Sequence, residues 1–376
     1  LLEQQGCRVM SGVYVNQAGG NWFTVMHVRH AGEVNTNRVF AAIIEPYAGE
    51  PFIDGVQALP VTDNDSDALK AVAVEVKTRN GHVDWLFADG RPEKVREVGR
   101  QGAGIRFSGE FAILSRDQAG LRLASLAGGR LLKAEDIVIT HEVAERTGTV
   151  VAVNYPDKQI VIDVAWPEGD LLRDRIFEVG TGVHRTTCTL TRSVRRGTGT
   201  MLTVKRGADF YLARVLDVES ARGLVVCNLG MAFQGGGVIP GLDKNWVASD
   251  EDRTKFWRAE YLGADRNAGR YTFKLTDGSV ARDDFGRLQG FRLWWYGVGD
   301  TVRQNTFASL RRLAPGIFEL TADTAVTLGL KAKTLEVSLD LKTWKLLETR
   351  PADGLTVADI PMAMLDPTGH ANIRVR

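Results

Sequence analysis

The sequence predicts an all-β protein, an antiparallel β-sandwich of stacked sheets with a small C-terminal β-module and at most one short helix. Apolar and polar residues alternate with a period of two along most of the chain, and Gly, Asp or Asn interrupts the alternation about every 8 to 12 residues. Turn pairs such as Asn80-Gly81 and Asp89-Gly90 lie beside apolar runs, as in hairpins. Consecutive strands are therefore expected to pair antiparallel.

The alternation divides the chain into three regions. A main sandwich is predicted over residues 1–230, with strands at 22–28, 38–45, 69–78, 83–88, 104–115, 121–127, 148–154, 159–164, 175–179, 184–195, 201–204, 213–217 and 224–229. Residues 231–300 are predicted as a connecting region with short strands and one short helix. Ser249 is the candidate N-cap of that helix, because acidic residues follow it and precede the apolar run 256–261. Residues 301–376 are predicted as a terminal β-module.

Composition excludes several classes of partner. The 376 residues contain 47 Lys+Arg and 46 Asp+Glu, so no overall positive charge indicates a nucleic-acid partner. No apolar run approaches the roughly 18 to 20 residues that cross a bilayer. The chain starts with neither Met nor a secretory signal pattern, so we expect it to be part of a longer or processed polypeptide.

Cysteine and histidine spacing favours neither a metal knuckle nor a redox dithiol. Cys7, Cys188 and Cys227 form no close-spaced pair, and the last two lie in strand-like runs, which predicts buried free thiols. His27 and His30 make an H-x-x-H pair within a predicted strand, where residues three apart point to opposite faces. No Gly-x-Ser-x-Gly elbow or phosphate-binding loop is present.

Asp63, Asp65 and Asp67 form a candidate calcium site. Their alternate spacing matches the opening of a calcium-binding loop, which supplies oxygen ligands from every second residue. An EF-hand would need Gly at Ala68 and a bidentate Glu at Val74. Two interpretations remain open, a solvated turn between strands and a nonstandard calcium site.

Aromatic residues concentrate in one part of the chain and form a candidate carbohydrate-binding site. Flat rings can stack on sugars, and neighbouring arginines can bind a uronate carboxylate. The candidate residues are Trp257, Arg258, Arg292, Trp294, Trp295 and Tyr296. The alternative is that these rings are buried in a core, or at the junction between the main sandwich and the terminal module.

Three phrases of the sequence resemble the C-terminal all-β part of heparinase II/III-type polysaccharide lyases. The first is residues 38–53, a strand that runs into Glu45-Pro46-Tyr47. The second is residues 166–173, with its Pro-Glu-Gly-Asp turn. The third is residues 296–302, followed by the strands at 320–330 and 335–340. Residues 340–344 depart from the family pattern, because they lack its glycines before Lys-Thr-Trp.

The resemblance implies a non-catalytic role for this chain. Such lyases carry an N-terminal α/α toroid with catalytic Tyr, His and Asn residues, and often a zinc site on the first β-sheet. No residue here matches those positions, so none is carried over, and zinc is expected only upstream. The implied reaction is β-elimination of an acidic, uronate-containing polysaccharide, and the implied location is secreted, periplasmic or extracellular. The alternative is a stand-alone extracellular β-sandwich protein for glycan binding or structural assembly.

Overall fold

A computed structural model confirms the all-β class. It describes residues 7–15, 22–30, 43, 45, 49–67, 69–99, 104–155, 157–181, 184–205, 211–228, 246–250, 255–265, 267–276, 278–285, 290–294 and 296–376. The structure is 62% strand and 4% helical, and its described ranges hold no helix of seven residues or more. Among the described residues, the strands of the sheets pair antiparallel. The predicted strand at 38–45 lies mostly outside the described residues.

The first nine strands form a separate hairpin and half of a sandwich. The hairpin pairs β1 (Cys7–Val15) with β2 (Trp22–His30). The sandwich strands are β3 (Ile53–Ala58), β4 (Val72–Thr78), β5 (Val83–Ala88), β6 (Arg96–Val98), β7 (Ile105–Asp117), β8 (Gly120–Ala134) and β9 (Ile137–His141). Neighbours run in the order β3-β4-β5-β7-β8, with β6 paired to β7 and β9 paired to β8.

Two closed six-stranded barrels follow. The first contains β10 (Glu145–Asn154), β11 (Gln159–Ile162), β12 (Ile176–Thr181), β13 (His184–Arg196) and β14 (Gly199–Val204). The second contains β15 (Tyr211–Glu219), β16 (Leu224–Asn228), β17 (Trp246–Asp250), β18 (Phe256–Asp265), β19 (Arg270–Thr276) and β20 (Gly290–Trp294). The second barrel closes where β20 pairs with both β15 and β17.

The C-terminal strands do not form a module of their own. β21 (Thr301–Asn305) closes the first barrel by pairing with β10 and β12. The remaining strands complete the sandwich: β22 (Phe307–Ala314), β23 (Ile317–Ala322), β24 (Val326–Leu330), β25 (Leu335–Ser338), β26 (Lys345–Leu346), β27 (Arg350–Ala352), β28 (Leu355–Ile360) and β29 (His370–Val375). β22 pairs with β8, and β24 pairs with β9, so residues distant in sequence share one core.

The long strands β7 and β8 connect the two layers of the sandwich. The first part of β8 pairs with β22, and its last part pairs with β9. β7 and β8 pair with each other along their length, and their pairing register shifts where Gly109 lies opposite Gly129. A Cβ on Gly129 would lie 2.1 Å from the carbonyl oxygen of Ser108, so only glycine fits this close backbone approach.

The predicted helix near Ser249 is wrong, because this segment is two strands of the second barrel. β17 and β18 pair antiparallel, with Ala248 opposite Trp257. Trp257 and Ala259 are buried while Arg258 and Glu260 are exposed. That alternation is the period-two pattern of a half-buried strand, and barrel closure outweighs the local capping signal.

Candidate functional site

Trp257 is a core residue of the second barrel. Its side chain is 3% exposed and packs against the ring of Phe285, with the ring centroids 5.5 Å apart. The indole N–H donates to the carbonyl oxygen of Ser279 at 3.2 Å. Because the ring is enclosed and its polar atom is satisfied, Trp257 presents no face for a sugar to stack on.

Tyr296 is buried at the junction of the two barrels. Its ring is 1% exposed and lies 5.8 Å from that of Tyr155, which stacks in turn on Phe256 of β18 at 4.9 Å. The Tyr155 hydroxyl donates to the carbonyl oxygen of Tyr296 at 2.8 Å. Tyr296 therefore joins the barrels and has no ring face open to a glycan.

The other predicted carbohydrate-binding residues are only partly described. Arg258 is exposed on β18, and its backbone pairs with Val247, which pairs on its other side with Trp294. Arg292 pairs with Ser249. The side chains of Arg292 and Trp294, and the whole of Trp295, lie outside the described residues. The register thus brings Arg258 and Trp294 to the same level of the barrel wall.

Cationic side chains contact the predicted calcium loop. Asp65 accepts hydrogen bonds from Lys94 at 2.7 Å and from Arg96 at 2.5 Å, and these hold the pKa of its carboxyl well below the usual range. Arg91 donates two hydrogen bonds to Asp67 and lowers its pKa to about 2. Arg96 also donates to the backbone carbonyl of Asp63 at 3.0 Å. Calcium at this loop stays a prediction.

Arg96 organises this loop, and no pattern in the sequence indicated that role. Arg96 is 2% exposed, and its guanidinium binds the fully buried carboxylate of Asp89 at 2.6 and 3.2 Å. Asp89 comes from the end of β5 and Arg96 from β6, so the pair ties the loop to the sandwich. Removing one partner of a buried ion pair is strongly destabilising, because the other charge is then left buried and unpaired.

A second polar cluster lies between the sandwich and the first barrel. Arg146 of β10 donates to the backbone carbonyl of Asp323 and to the amide oxygen of Gln304. His141 is 5% exposed, and within the described part of the chain neither of its ring nitrogens has a hydrogen-bond partner. Burial, together with the charge of Arg146, lowers the pKa of His141 to about 4. His141 is therefore neutral at ordinary pH.

The cysteine prediction is confirmed for the two described thiols. Cys188 lies in the core of the first barrel and Cys227 in the core of the second, and both are free. Burial raises the pKa of Cys188 to about 12 and raises that of Cys227 as well. Such thiols are poor nucleophiles. His27 and His30 lie in β2, as predicted.

The second and third phrases of the resemblance form turns held by specific hydrogen bonds. In the second phrase, the backbone N–H of Trp166 donates to Thr200, and Ser193 donates to the carbonyl of Pro167. In the third, Asp300 accepts the backbone N–H of Gly297 at 2.9 Å. Asp340 then accepts two backbone N–H groups of the turn that follows it, which lowers its pKa to about 2.

A polar cleft lies between the second phrase and the sandwich. Its volume is about 420 Å³, and it is lined by the acidic and basic residues Asp170, Arg173, Asp174 and Arg175 together with His370. The guanidinium of Arg175 lies 4.4 Å from the ring centre of Phe307, while His370 contacts Thr321 at 3.1 Å. The carboxylates and both guanidinium groups of the cleft come from residues 170–175, and His370 comes from β29 of the sandwich.

Comparison with known proteins identifies no relative: no family model, curated protein or solved structure matches the chain. In the described ranges, no helix is both long and apolar enough to cross a membrane. Nor do three or more His, Cys, Asp or Glu side chains come together there as a group that could hold a metal ion.

Proposed function

We propose that this chain is the non-catalytic β-sheet part of a heparinase II/III-like polysaccharide lyase. The parent protein would cleave a uronate-containing polysaccharide by β-elimination, with its catalytic residues upstream of this chain. The chain itself would be inactive and would act as a scaffold for an upstream α/α toroid. This function would place the protein in a secreted, periplasmic or extracellular setting.

The polar cleft beside the second phrase carries the proposal. Arg173 is the last residue of the turn that resembles the lyase family, Arg175 lies two residues beyond it, and His370 comes from the sandwich. Guanidinium groups bind carboxylates through charge-assisted hydrogen bonds, and aspartates accept hydrogen bonds from sugar hydroxyls. A cleft with both kinds of group suits an acidic sugar.

Cofactors form a separate part of the proposal. Zinc would belong to the upstream part of the polypeptide. Calcium at Asp63, Asp65 and Asp67 would have to compete with Arg91 and Lys94 for the carboxylates of Asp65 and Asp67. If it binds there, calcium must raise the melting temperature of chelated protein, since a ligand specific for the folded state stabilises that state.

The proposal is tested with the longer polypeptide that contains this chain. Incubated with a panel of uronate polysaccharides, it should release products with the ultraviolet absorbance of an unsaturated uronate. Arg173→Ala should raise KM several-fold and leave kcat nearly unchanged, because the residue binds substrate away from the reacting atoms.

Arg222→Ala is the matched control. Like Arg173, Arg222 is exposed and pairs with a carboxylate three residues away, but it lies on the second barrel outside the cleft. It should leave both constants unchanged. If the longer polypeptide forms no unsaturated product from any uronate polysaccharide, the proposal is wrong and the stand-alone extracellular protein becomes the better interpretation.

A further inference from the structure

A cavity of about 670 Å³ lies at one end of the sandwich, and it shares no lining residue with the polar cleft. It opens where β9, β24 and β28 end side by side, since Val326 pairs with both His141 and Ile360. The segment 347–350 borders it. Its volume falls within the roughly 300–1,000 Å³ typical of sites for small molecules.

Apolar side chains line much of this cavity. Val326, Leu347 and Ile360 belong to the buried core of the sandwich, and Met364 packs against the same core. Pro361 is exposed and Met364 is partly exposed at the cavity, so a hydrocarbon group laid on these two side chains removes apolar surface from water on both sides of the contact. The lining therefore favours a ligand with an apolar body.

The charged groups of the cavity are mostly acidic. Its lining holds three carboxylates, those of Glu142, Glu348 and Asp359, and one guanidinium, that of Arg350. Arg350 binds Asp359 at 2.6 and 3.1 Å, and the Thr327 hydroxyl donates to the same carboxylate. The charge of Asp359 is thus compensated within the protein.

In the described structure, the charges of Glu142 and Glu348 are not compensated by a neighbouring cation in this way. Both are exposed at the cavity, and no ion pair joins either of them to another described side chain. The lining as a whole therefore carries a net charge of −2, set beside an apolar surface. A negative rim of this kind attracts cations and repels carboxylates and phosphates.

We propose that this cavity binds a small organic cation, with its hydrocarbon body against Pro361 and Met364 and its ammonium group near Glu142 and Glu348. The site is independent of the proposed lyase function, because it shares no residue with the polar cleft. An anionic sugar would be disfavoured here by the same two carboxylates.

Phenethylamine is a suitable probe, because phenethyl alcohol has the same skeleton without the charge. The chain contains six methionines, of which Met364 lines the cavity, so methyl-labelled methionine reports the position of the ligand by NMR. The amine should shift the Met364 methyl resonance saturably. It should bind at least about tenfold more tightly than the alcohol, and higher salt should weaken it.

Substitution of the two free carboxylates tests the charge argument. Combining Glu142→Gln with Glu348→Gln should lower the affinity for the amine about tenfold and leave that for the alcohol unchanged. Glu135→Gln is the matched control, since Glu135 is an exposed carboxylate just before β9, at the far end of that strand from the cavity. It should leave both affinities unchanged.

Three results would overturn this proposal. They are a Met364 methyl that does not respond saturably to the amine, equal affinities for amine and alcohol, and undiminished amine affinity in the double variant. The first uses unmodified protein, so it is decisive even if the double variant folds poorly.

Discussion

At the scale of single residues, two buried polar groups decide how this protein responds to substitution and to pH. Arg96 satisfies a fully buried carboxylate, whereas His141 is buried with neither ring nitrogen hydrogen-bonded in the described structure. Neither residue belongs to a recognisable sequence motif. Their importance follows from burial and pairing, which depend on strands that meet only in the folded chain.

Replacement of Arg96 by Met should destabilise the protein by about 3 to 5 kcal/mol, because it leaves the Asp89 carboxylate buried without its partner. The free energy of unfolding in urea measures this change. Arg91→Met is the comparison, since Arg91 contacts the same loop from a more exposed position and should change stability little. Similar losses in the two variants would contradict the central role given to Arg96.

The stability of the protein should fall as pH decreases from about 6.5 towards 4. His141 titrates at about 4 in the folded state against an ordinary value of 6.5, so the unfolded state binds the proton more readily across this window. The full contribution is about 3 kcal/mol, present above pH 6.5 and lost as pH falls. Unfolding in urea measured across this range should show the loss.

His141→Leu should remove this part of the pH dependence. The apolar side chain carries no titrating group, and it replaces ring nitrogens that have no hydrogen-bond partner within the described residues, so stability near neutral pH should not fall greatly. An unchanged acid-induced loss in the variant would show that other groups cause it.

At the scale of elements, the alternation of the sequence identified strands well and their partners poorly. Residues 83–88 match β5, the prediction at 104–115 falls within two residues of β7 at each end, and the prediction at 148–154 ends with β10 but starts three residues after it. The segment 256–261 was predicted as helix, although its buried and exposed residues alternate as in a strand. Acidic residues before an apolar run are a local signal, and the barrel is a non-local structure.

The close approach of β7 and β8 at Gly129 gives an element-scale prediction. Gly129→Ala should cost about 3 kcal/mol or more, because its Cβ would collide with the backbone of Ser108 and Gly109. Gly55→Ala, on the edge strand β3, meets no atom within 4 Å and should change stability by less than about 1 kcal/mol. Equal effects of the two substitutions on urea unfolding would rule out the proposed close approach.

At the scale of the whole molecule, the main surprise is how distant segments combine. The sequence suggested three consecutive regions, but β21 closes a barrel that begins at β10, and β22 extends a sheet that begins at β3. Alternation shows which residues face a core but carries no information on which strand lies beside which. The two barrels are inserted between the two halves of the sandwich.

The sequence also could not show which distant residues come together in the candidate sites. Sequence reasoning grouped Trp257 and Tyr296 because they are close along the chain, whereas the fold buries one inside a barrel and the other at a junction. The polar cleft joins Arg173 to His370, almost two hundred positions away, and no spacing rule could have linked them. Only the family-like turn at residues 166–173 pointed to that part of the chain.

The most direct test of the proposed scaffold function is complementation between two separately produced polypeptides, this chain and the region encoded upstream of it. Formation of unsaturated uronate should be absent with this chain alone, weak or absent with the upstream region alone, and substantial when the two are combined. Full activity of the upstream region alone, or activity of this chain alone that a substitution within it abolishes, would contradict the proposal.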